Sequence, residues 1–200
     1  MPRTIDYYFA PQSPWAYLGH ERFARMAADA GADVRVLPVD LGQVFPVSGG
    51  LPLPKRAPQR QAYRLVELKR FSEWLKLPLH PQPLHFPVSG DDAAKLIFAV
   101  AQADGSGAAL RLTGAVMRAV WAEQRNIADA STLAQLLAEH GLAAERLEAS
   151  RGAAAAAAYD DATQQAITRG VFGSPTYIVD GDMYWGQDRL DFVQRRLQAT

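Results

Sequence analysis

Residues 4–18 read TIDYYFAPQSPWAYL and decide the first half of the fold. The β-branched and aromatic residues of Thr4–Phe9 predict a β-strand that ends at a proline-containing loop. Because Ser13 is a preferred N-cap and Pro14 suits the first helical position, a helix is predicted from there to a C-cap at Gly31. Residues 34–39, VRVLPV, predict a second strand. The opening is therefore β-α-β, with a parallel strand pair and a right-handed crossover.

Residues 171–189, VFGSPTYIVDGDMYWGQDR, decide the second half. The runs Pro175–Val179 and Met183–Trp185 are short, apolar and aromatic, and an Asp-Gly step lies between them. Such a step between two runs of this kind is a strong hairpin signal. A last helix is predicted from about Gln187 to Leu197. This β-β-α end can complete one mixed sheet with the β-α-β opening.

The middle of the chain, residues 41–170, contains no convincing strand. Proline and glycine predict a loop over Asp40–Ala57, and four prolines break Leu77–Val88 into an extended connector. A helix is predicted over Pro58–Leu75 because four apolar side chains recur there at helical spacing: Tyr63, Val66, Phe71 and Trp74.

Further helices follow one after another, at about Asp91–Ala103, Gly107–Glu123, Ser131–His140 and Ala153–Thr168. Asp91 and Ser131 are their candidate N-caps. The predicted chain is thus an α/β unit formed by residues 1–40 and 171–200. A helical domain with its connecting loops, residues 41–170, is inserted into that unit.

Composition excludes several classes of function. The 200 residues contain 21 basic and 21 acidic side chains, so no basic face for nucleic acid is expected. No cysteine is present, which rules out disulfides, a cysteine nucleophile and a dithiol redox cycle. The N-terminal residues lack a signal-peptide pattern and the apolar runs are short, so a cytoplasmic location without membrane association is expected.

Metal and nucleotide sites have little support in the sequence. His20, His80, His85 and His140 form no H-x-x-x-H or H-E-x-x-H pairing, and surface or loop positions are expected for them. There is no G-x-G-x-x-G stretch and no P-loop. No metal ligand set is therefore predicted.

Three short segments could carry chemistry. Ser13 places a hydroxyl at a helix N-terminus, where backbone N–H groups and the helix dipole stabilise an anion such as a thiolate, although a serine there is usually only a cap. The Ser174-Pro175 step suits the start of a strand, and a cis bond there would turn the Ser174 backbone outward. Asp188, at the start of the last helix, could offset the dipole or receive a ligand ammonium.

Together these segments resemble the 2-hydroxychromene-2-carboxylate isomerases, relatives of the kappa-class glutathione transferases. The resemblance spans nearly the whole chain and rests on residues 8–18 (YFAPQSPWAYL), Lys55 with residues 63–70 (YRLVELKR), residues 85–87 (HFP), residues 171–176 (VFGSPT) and residues 185–190 (WGQDRL). It implies a thioredoxin-like fold with an inserted helical domain. In redox members of that fold a C-x-x-C motif opens the first helix, where this chain has Ser13 and Ala16.

The resemblance also implies a glutathione site and, commonly, a homodimer. Ser13 matches the serine that faces the glutathione sulfur and helps to hold it as a thiolate. Ser174 and Pro175 match the cis-proline step, which pairs with the cysteinyl part of glutathione like an added strand. The residues expected to hold the γ-glutamyl end are Gly186, Gln187 and Asp188. Those expected near the glycine carboxylate or the substrate acid are Lys55 and Arg56.

The reaction that the resemblance implies is the glutathione-dependent isomerisation of 2-hydroxychromene-2-carboxylate to trans-o-hydroxybenzylidenepyruvate, a step of naphthalene degradation. Two alternatives stay open. A kappa-like glutathione transferase would use the same thiolate but keep the adduct. A non-catalytic relative would use the fold only as a binding module.

Overall fold

The computed structural model describes residues 3–199. The strands are β1 (Thr4–Phe9), β2 (Asp33–Pro38), β3 (Thr176–Val179) and β4 (Asp182–Trp185). Met1, Pro2 and Thr200, which the sequence assigned to the α/β unit, lie outside the described residues. The division into residues 1–40 with 171–200 and residues 41–170 stays a prediction.

The four strands form one mixed sheet in the order β2-β1-β3-β4. Strand β1 pairs in parallel with β2, as the β-α-β pattern predicts, and antiparallel with β3. Strand β4 pairs antiparallel with β3 across the hairpin turn. The two ends of the chain therefore meet at the β1–β3 pair, which brings the residues before β3 close to those after β1.

Nine α-helices, joined by loops and turns, make up most of the rest of residues 3–199. They are α1 (Pro14–Asp29), α2 (Leu41–Ser48), α3 (Pro58–Leu75), α4 (Asp91–Asp104), α5 (Ser106–Trp121), α6 (Ala130–Glu139), α7 (Glu145–Ala149), α8 (Ala153–Thr168) and α9 (Leu190–Gln198). Short 3₁₀ turns cover Leu53–Lys55 and Gln187–Arg189. No strand interrupts residues 41–170, in agreement with the sequence.

Several local predictions in and around this helical region were wrong. The predicted Asp40–Ala57 loop contains α2, which begins because the Asp40 carboxylate accepts a hydrogen bond from the Gly42 N–H at 2.7 Å. The short helix α7 was missed. Asp91, predicted as the N-cap of α4, is already helical, and Gly90 is the N-cap. Ser131, predicted as the N-cap of α6, is also inside its helix; the N-cap is Asp129, whose side chain accepts a hydrogen bond from the Ser131 N–H.

The termini of the first and last helices also differ slightly from prediction. Helix α1 has Ala30 as its C-cap, and Gly31 follows it with φ +59°. Left-handed backbone is where glycine is favoured, so the glycine stands one position beyond the cap. The last helix was predicted from Gln187, but that residue starts a 3₁₀ turn, and α9 begins at Leu190.

An aromatic cluster holds α1 against the sheet. Tyr7 stacks on Phe9 with ring centroids 4.6 Å apart and on Tyr177 at 5.3 Å, and Phe23 of α1 packs against Tyr7 at 4.6 Å. All four side chains are fully buried. Since burial of one large apolar side chain contributes about 1.5–3 kcal/mol, this cluster fixes the position at which α1 begins.

Helix α3 was predicted correctly, but its buried face was not. Tyr63, Val66 and Trp74 are 57%, 44% and 68% exposed, whereas Arg64 and Leu68 are buried. Three of the four apolar side chains used to predict α3 therefore lie on an exposed face of the helix. No helix within residues 3–199 is both long and apolar enough to span a membrane.

Candidate functional site

Ser13 lies at the junction of β1 and α1, with its side chain 8% exposed. Its backbone is extended (φ −77°, ψ 121°), and its Oγ accepts a hydrogen bond from the Ala16 N–H at 3.3 Å. The same Oγ donates to the Ser174 carbonyl oxygen at 3.5 Å, which is the outer limit for such a bond. The hydroxyl proton is thus held only weakly, at the positive end of a 16-residue helix.

Ser174 and Pro175 are joined by a cis peptide bond beside Ser13. The Ser174 Oγ accepts a hydrogen bond from the Ala10 N–H at 2.9 Å, and its side chain is buried. This bond ties the loop that enters α1 to the loop that enters β3.

The segment after β4 lies next to these residues. We refer to Ser13, Ser174, Pro175 and residues 186–188 together as the strip. The Gly186 N–H donates to the Pro175 carbonyl at 2.9 Å, and Gly186 has φ +100°, which an L-residue rarely adopts. Asp188 follows, with its side chain 46% exposed and its carboxylate 2.7 Å from Arg189. An ion pair as exposed as this is weak, so a ligand ammonium can replace the arginine.

Gln187 is placed differently from its neighbour Asp188. Its side chain is only 2% exposed and packs against α1, where a Cβ on Gly19 would lie 2.7 Å from the Gln187 Cβ. Arg22 donates a hydrogen bond to the Gln187 carbonyl oxygen. The glutamine therefore fixes the turn on α1, and its buried side chain does not lie at the surface beside Asp188.

The two predicted basic residues lie apart from this strip. Lys55 is exposed on the 3₁₀ turn before α3, and Arg56 donates from Nε to the Leu51 carbonyl at 2.8 Å. Within residues 3–199 neither side chain makes a hydrogen bond or an ion pair with Ser13 or Ser174. Partial burial and the nearby Arg60 lower the pKa of the Arg56 guanidinium.

Arg64 is a basic residue near this region to which the sequence analysis gave no role. It is only 9% exposed, and its guanidinium carbon lies 5.3 Å from the Phe86 ring centroid and 5.6 Å from that of Trp121. Burial and the nearby Arg56 lower its pKa to about 10, so it is still a cation at neutral pH. The sequence signal that pointed to the burial of Arg64 was its spacing: it stands four residues before Leu68, so both side chains lie on one face of α3, the face that is buried in the structure.

Two open cavities of about 600 Å³ lie elsewhere. One is lined by β4 and α9 and includes Trp185 and Phe192; the other lies between α1, α5 and α6 and includes His20. The expected surface position of His20 was wrong, because the ring is 4% exposed and contacts the Leu110 carbonyl at 3.0 Å. In residues 3–199 no three His, Asp or Glu side chains are grouped so that they could hold a metal ion.

Comparison with known proteins agrees with this geometry. The DSBA-like thioredoxin domain matches residues 4–198. The 2-hydroxychromene-2-carboxylate isomerase of Sphingobium xenophagum is 30% identical over 199 residues, covering 98% of this chain and 99% of the relative. That of Pseudomonas putida is 33% identical over 197 residues, covering 95% and 92%. The chain belongs to the 2-hydroxychromene-2-carboxylate isomerase family of DsbA-like thioredoxin-fold proteins.

A solved structure of a 2-hydroxychromene-2-carboxylate isomerase superposes with a TM-score of 0.81 at 28% identity, over 97% of this chain and 94% of that one. The family also has more distant kin. Human glutathione S-transferase kappa 1 is 25% identical over 221 residues, covering 98% of this chain and 92% of the relative. The predicted family and the predicted thioredoxin-like fold are both confirmed.

Proposed function

We propose that the protein is a glutathione-dependent cis-trans isomerase that converts 2-hydroxychromene-2-carboxylate to trans-o-hydroxybenzylidenepyruvate. One observation carries the proposal. The Ser13 hydroxyl lies at the N-terminus of α1, 3.5 Å from the Ser174 carbonyl, in a chain that has no cysteine of its own. A site built for a thiolate, without a thiol in the chain, needs a thiol from outside.

The side chains and backbone groups of the strip fit glutathione chemically. A helix N-terminus with a hydroxyl donor suits a thiolate, and the Ser174 peptide group suits an extended peptide. Asp188 is a half-exposed carboxylate that suits the γ-glutamyl ammonium. The kinship with a glutathione S-transferase supports the same ligand.

Opening of the hemiketal ring of the substrate gives a phenol and a ketone conjugated to a cis double bond. Bound glutathione would supply a thiolate that adds to this double bond to form an enolate, permits rotation about the resulting single bond, and leaves again as the trans double bond forms. Because the thiol is returned, the protein needs no redox partner.

Ser13 is the catalytic residue of the proposal. Its Oγ still accepts the hydrogen bond from the Ala16 N–H. The hydroxyl gives up its weak 3.5 Å contact with the Ser174 carbonyl and donates a hydrogen bond to the sulfur instead, while its proton stays on the oxygen. A charge-assisted hydrogen bond is stronger than the neutral contact that it replaces. Together with the dipole of α1, this donation lowers the pKa of the thiol and keeps it ionised near neutral pH.

The remaining predicted residues bind and orient. The Ser174 backbone and Pro175 hold the peptide, and Gly186 with Gln187 shapes the turn that presents Asp188 to the ammonium. Lys55 and Arg56 stay candidates for binding a carboxylate or the enolate oxygen that develops when the double bond is attacked.

A kappa-like transferase is the second candidate, because the kinship with glutathione S-transferase kappa 1 implies the same thiolate. The two reactions differ in the fate of glutathione, which is consumed by conjugation and returned by isomerisation. A non-catalytic binding module is the third reading, and the absence of glutathione binding at millimolar concentration would favour it.

The deciding experiment records the ultraviolet spectrum of 2-hydroxychromene-2-carboxylate mixed with the protein, with and without glutathione, while free thiol is titrated in parallel. The proposal expects conversion that requires glutathione and leaves its concentration unchanged. Stoichiometric loss of thiol would favour the transferase. Absence of conversion, with glutathione still bound, would reject this substrate but retain the site.

A homodimer and a cytoplasmic location complete the proposal. The outward face of α3 carries three large exposed apolar side chains, Tyr63, Val66 and Trp74, and this supports a protein partner there. Sedimentation of the purified protein tests the dimer directly.

A further inference from the structure

The guanidinium of Arg64 is a buried cation with no anion beside it. It makes no ion pair or hydrogen bond within residues 3–199, and the only influences on its pKa are burial and the charge of Arg56, both of which lower it. Buried charges in proteins are usually paired or bound to a ligand. Arg64 therefore has no anionic partner within residues 3–199, and its guanidinium is available to bind one.

A second unsatisfied donor lies close to Arg64. The Nε1 of Trp121, in one of the two rings on which the guanidinium stacks, is buried without a hydrogen-bond acceptor. Phe86 stacks on the guanidinium and lies 4.9 Å from Trp121. The two rings lie 4.9 Å from each other and so cover one side of the guanidinium, while its N–H groups make no hydrogen bond within residues 3–199 and are free to form a bidentate bond with a carboxylate. An acceptor attached to an aromatic ring fits this environment.

Two sets of contacts connect Arg64 to the Ser13 region. Phe71 lies two turns after Arg64 on the same face of α3, about 10 Å along the axis, and packs edge-on against Trp15 at 5.9 Å. The loop that carries Phe86 leads to Gly90, which approaches the Gln12 side chain so closely that a Cβ there would collide with it. Arg64 thus belongs to the wall of the helical region next to the first turn of α1.

We propose that Arg64 binds the carboxylate of an aromatic 2-oxo acid and so selects acidic over neutral substrates at the Ser13 site. The inference rests on the proposed function, because that function supplies an aromatic substrate with a carboxylate next to its carbonyl carbon. Lys55 and Arg56 were the sequence-based candidates for this task. Arg64 is better suited, because its guanidinium is desolvated and oriented by two rings, whereas Lys55 is exposed.

The test uses ligands that bind without reacting. The acidic probe is 2-oxo-4-phenylbutanoate, which has no conjugated double bond, and the neutral probe is 4-phenyl-2-butanone. Dissociation constants are measured by NMR titration for the wild type, Arg64→Met, Arg64→Lys and Arg60→Met. Arg60 is exposed one turn earlier on α3, so Arg60→Met controls for the loss of one positive charge.

Arg64→Met is expected to weaken the acidic probe at least tenfold and the neutral probe less than twofold, because the charge-assisted bidentate bond to the carboxylate is lost. Arg64→Lys keeps the charge but not the planar fork, so a smaller loss is expected. Arg60→Met leaves both affinities within twofold. The thermal midpoint of Arg64→Met is not lowered, since replacing an unpaired buried charge with an apolar side chain is neutral or stabilising.

An equal loss for both probes would overturn the proposal, because it would mean that Arg64 only packs. A loss of affinity for glutathione alone would also overturn the proposal, since Arg64 would then bind a carboxylate of glutathione and not that of the substrate. The outcome for the proposed function is separate. A wild type that binds the acid through Arg64 but isomerises nothing would refute the function alone, and turnover with an unchanged acid-to-ketone ratio in Arg64→Met would refute the Arg64 proposal alone.

Discussion

Ser13→Ala removes two interactions whose effects can be measured separately. The Ala16 N–H loses its acceptor, so α1 loses its side-chain cap. Removing a serine cap lowers the free energy of unfolding by about 1 kcal/mol. The 3.5 Å contact with the Ser174 carbonyl adds little to this loss, because a bond of that length is weak. The folded protein therefore remains the major species.

The effect of Ser13→Ala on activity is expected to be larger. The hydroxyl donates to a charged sulfur, and a hydrogen bond to a charged group contributes about 1.5–3 kcal/mol. The loss of kcat/KM is then about 10- to 150-fold. Without this donor the thiol ionises less readily, so the rising limb of the pH–rate profile moves upward by about one to two pH units.

The assay measures isomerisation from pH 6 upward for Ser13→Ala, Ser13→Thr and Asp129→Ala. Threonine keeps both a hydroxyl and a capping oxygen, so most activity is retained. Asp129 caps α6 in the same way, accepting from the Ser131 N–H at 2.9 Å, and lies outside the site. The reasoning is refuted if Ser13→Ala turns over at the wild-type rate, or if Asp129→Ala loses activity to the same extent.

Three further variants test other contacts. Ser174→Val leaves the buried Ala10 N–H without an acceptor, so urea denaturation is expected to give a free energy of unfolding lower by about 1–3 kcal/mol; an unchanged value would contradict this. Burial lowers the pKa of His20 to about 4, so the unfolded chain takes up its proton first, and stability falls by up to about 3 kcal/mol between pH 6.5 and pH 4. His20→Gln should lack this component, and an identical pH dependence in the two proteins would count against it. Asp188→Asn should weaken glutathione binding about fivefold by calorimetry, while Asp191→Asn, which is also exposed, should not; equal effects would remove Asp188 from the site.

The two ends of the chain were predictable because their signals are local. The Asp180-Gly181 step has positive φ at both residues, 51° and 89°, which is the backbone that an Asp-Gly hairpin turn requires. The turn then fixes the register of β3 and β4. Ser13 was found for the same reason, since a capping residue directly after a strand is visible without knowledge of the partners that it contacts.

The failures have physical causes that a local pattern does not contain. Helix α2 includes Pro46, and glycines stand near both of its ends, so its composition is that of a loop; only the Asp40 cap indicated a helix. On α3 three of the apolar residues used for the prediction, Tyr63, Val66 and Trp74, are exposed, whereas Arg64 is buried. The environment of Arg64 is supplied by Phe86 and Trp121, which are distant in sequence, so its burial depends on tertiary packing.

Without cysteine, a DsbA-like scaffold has no dithiol for a redox cycle, but it keeps the groups suited to stabilising a thiolate. In the proposed function the groups that would stabilise the anion are the N-terminus of α1, the Ser13 hydroxyl and the backbone around the cis-proline step. None of them depends on a sulfur in the chain. The scaffold can therefore accept a thiolate from a bound peptide where a redox relative would hold its own.

In the proposed function, charged residues at two places would bind two different ligands, glutathione and the substrate. The strip ends in Asp188, a carboxylate suited to an ammonium, whereas Arg64 on α3 is a cation suited to a carboxylate. A thiol peptide held along the strip would present its sulfur at Ser13, toward the wall that contains Arg64. Substitutions in the strip should therefore change glutathione affinity, and substitution of Arg64 should change substrate selectivity. If instead both sets of variants change both quantities to the same degree, the two binding tasks are not separated in this way.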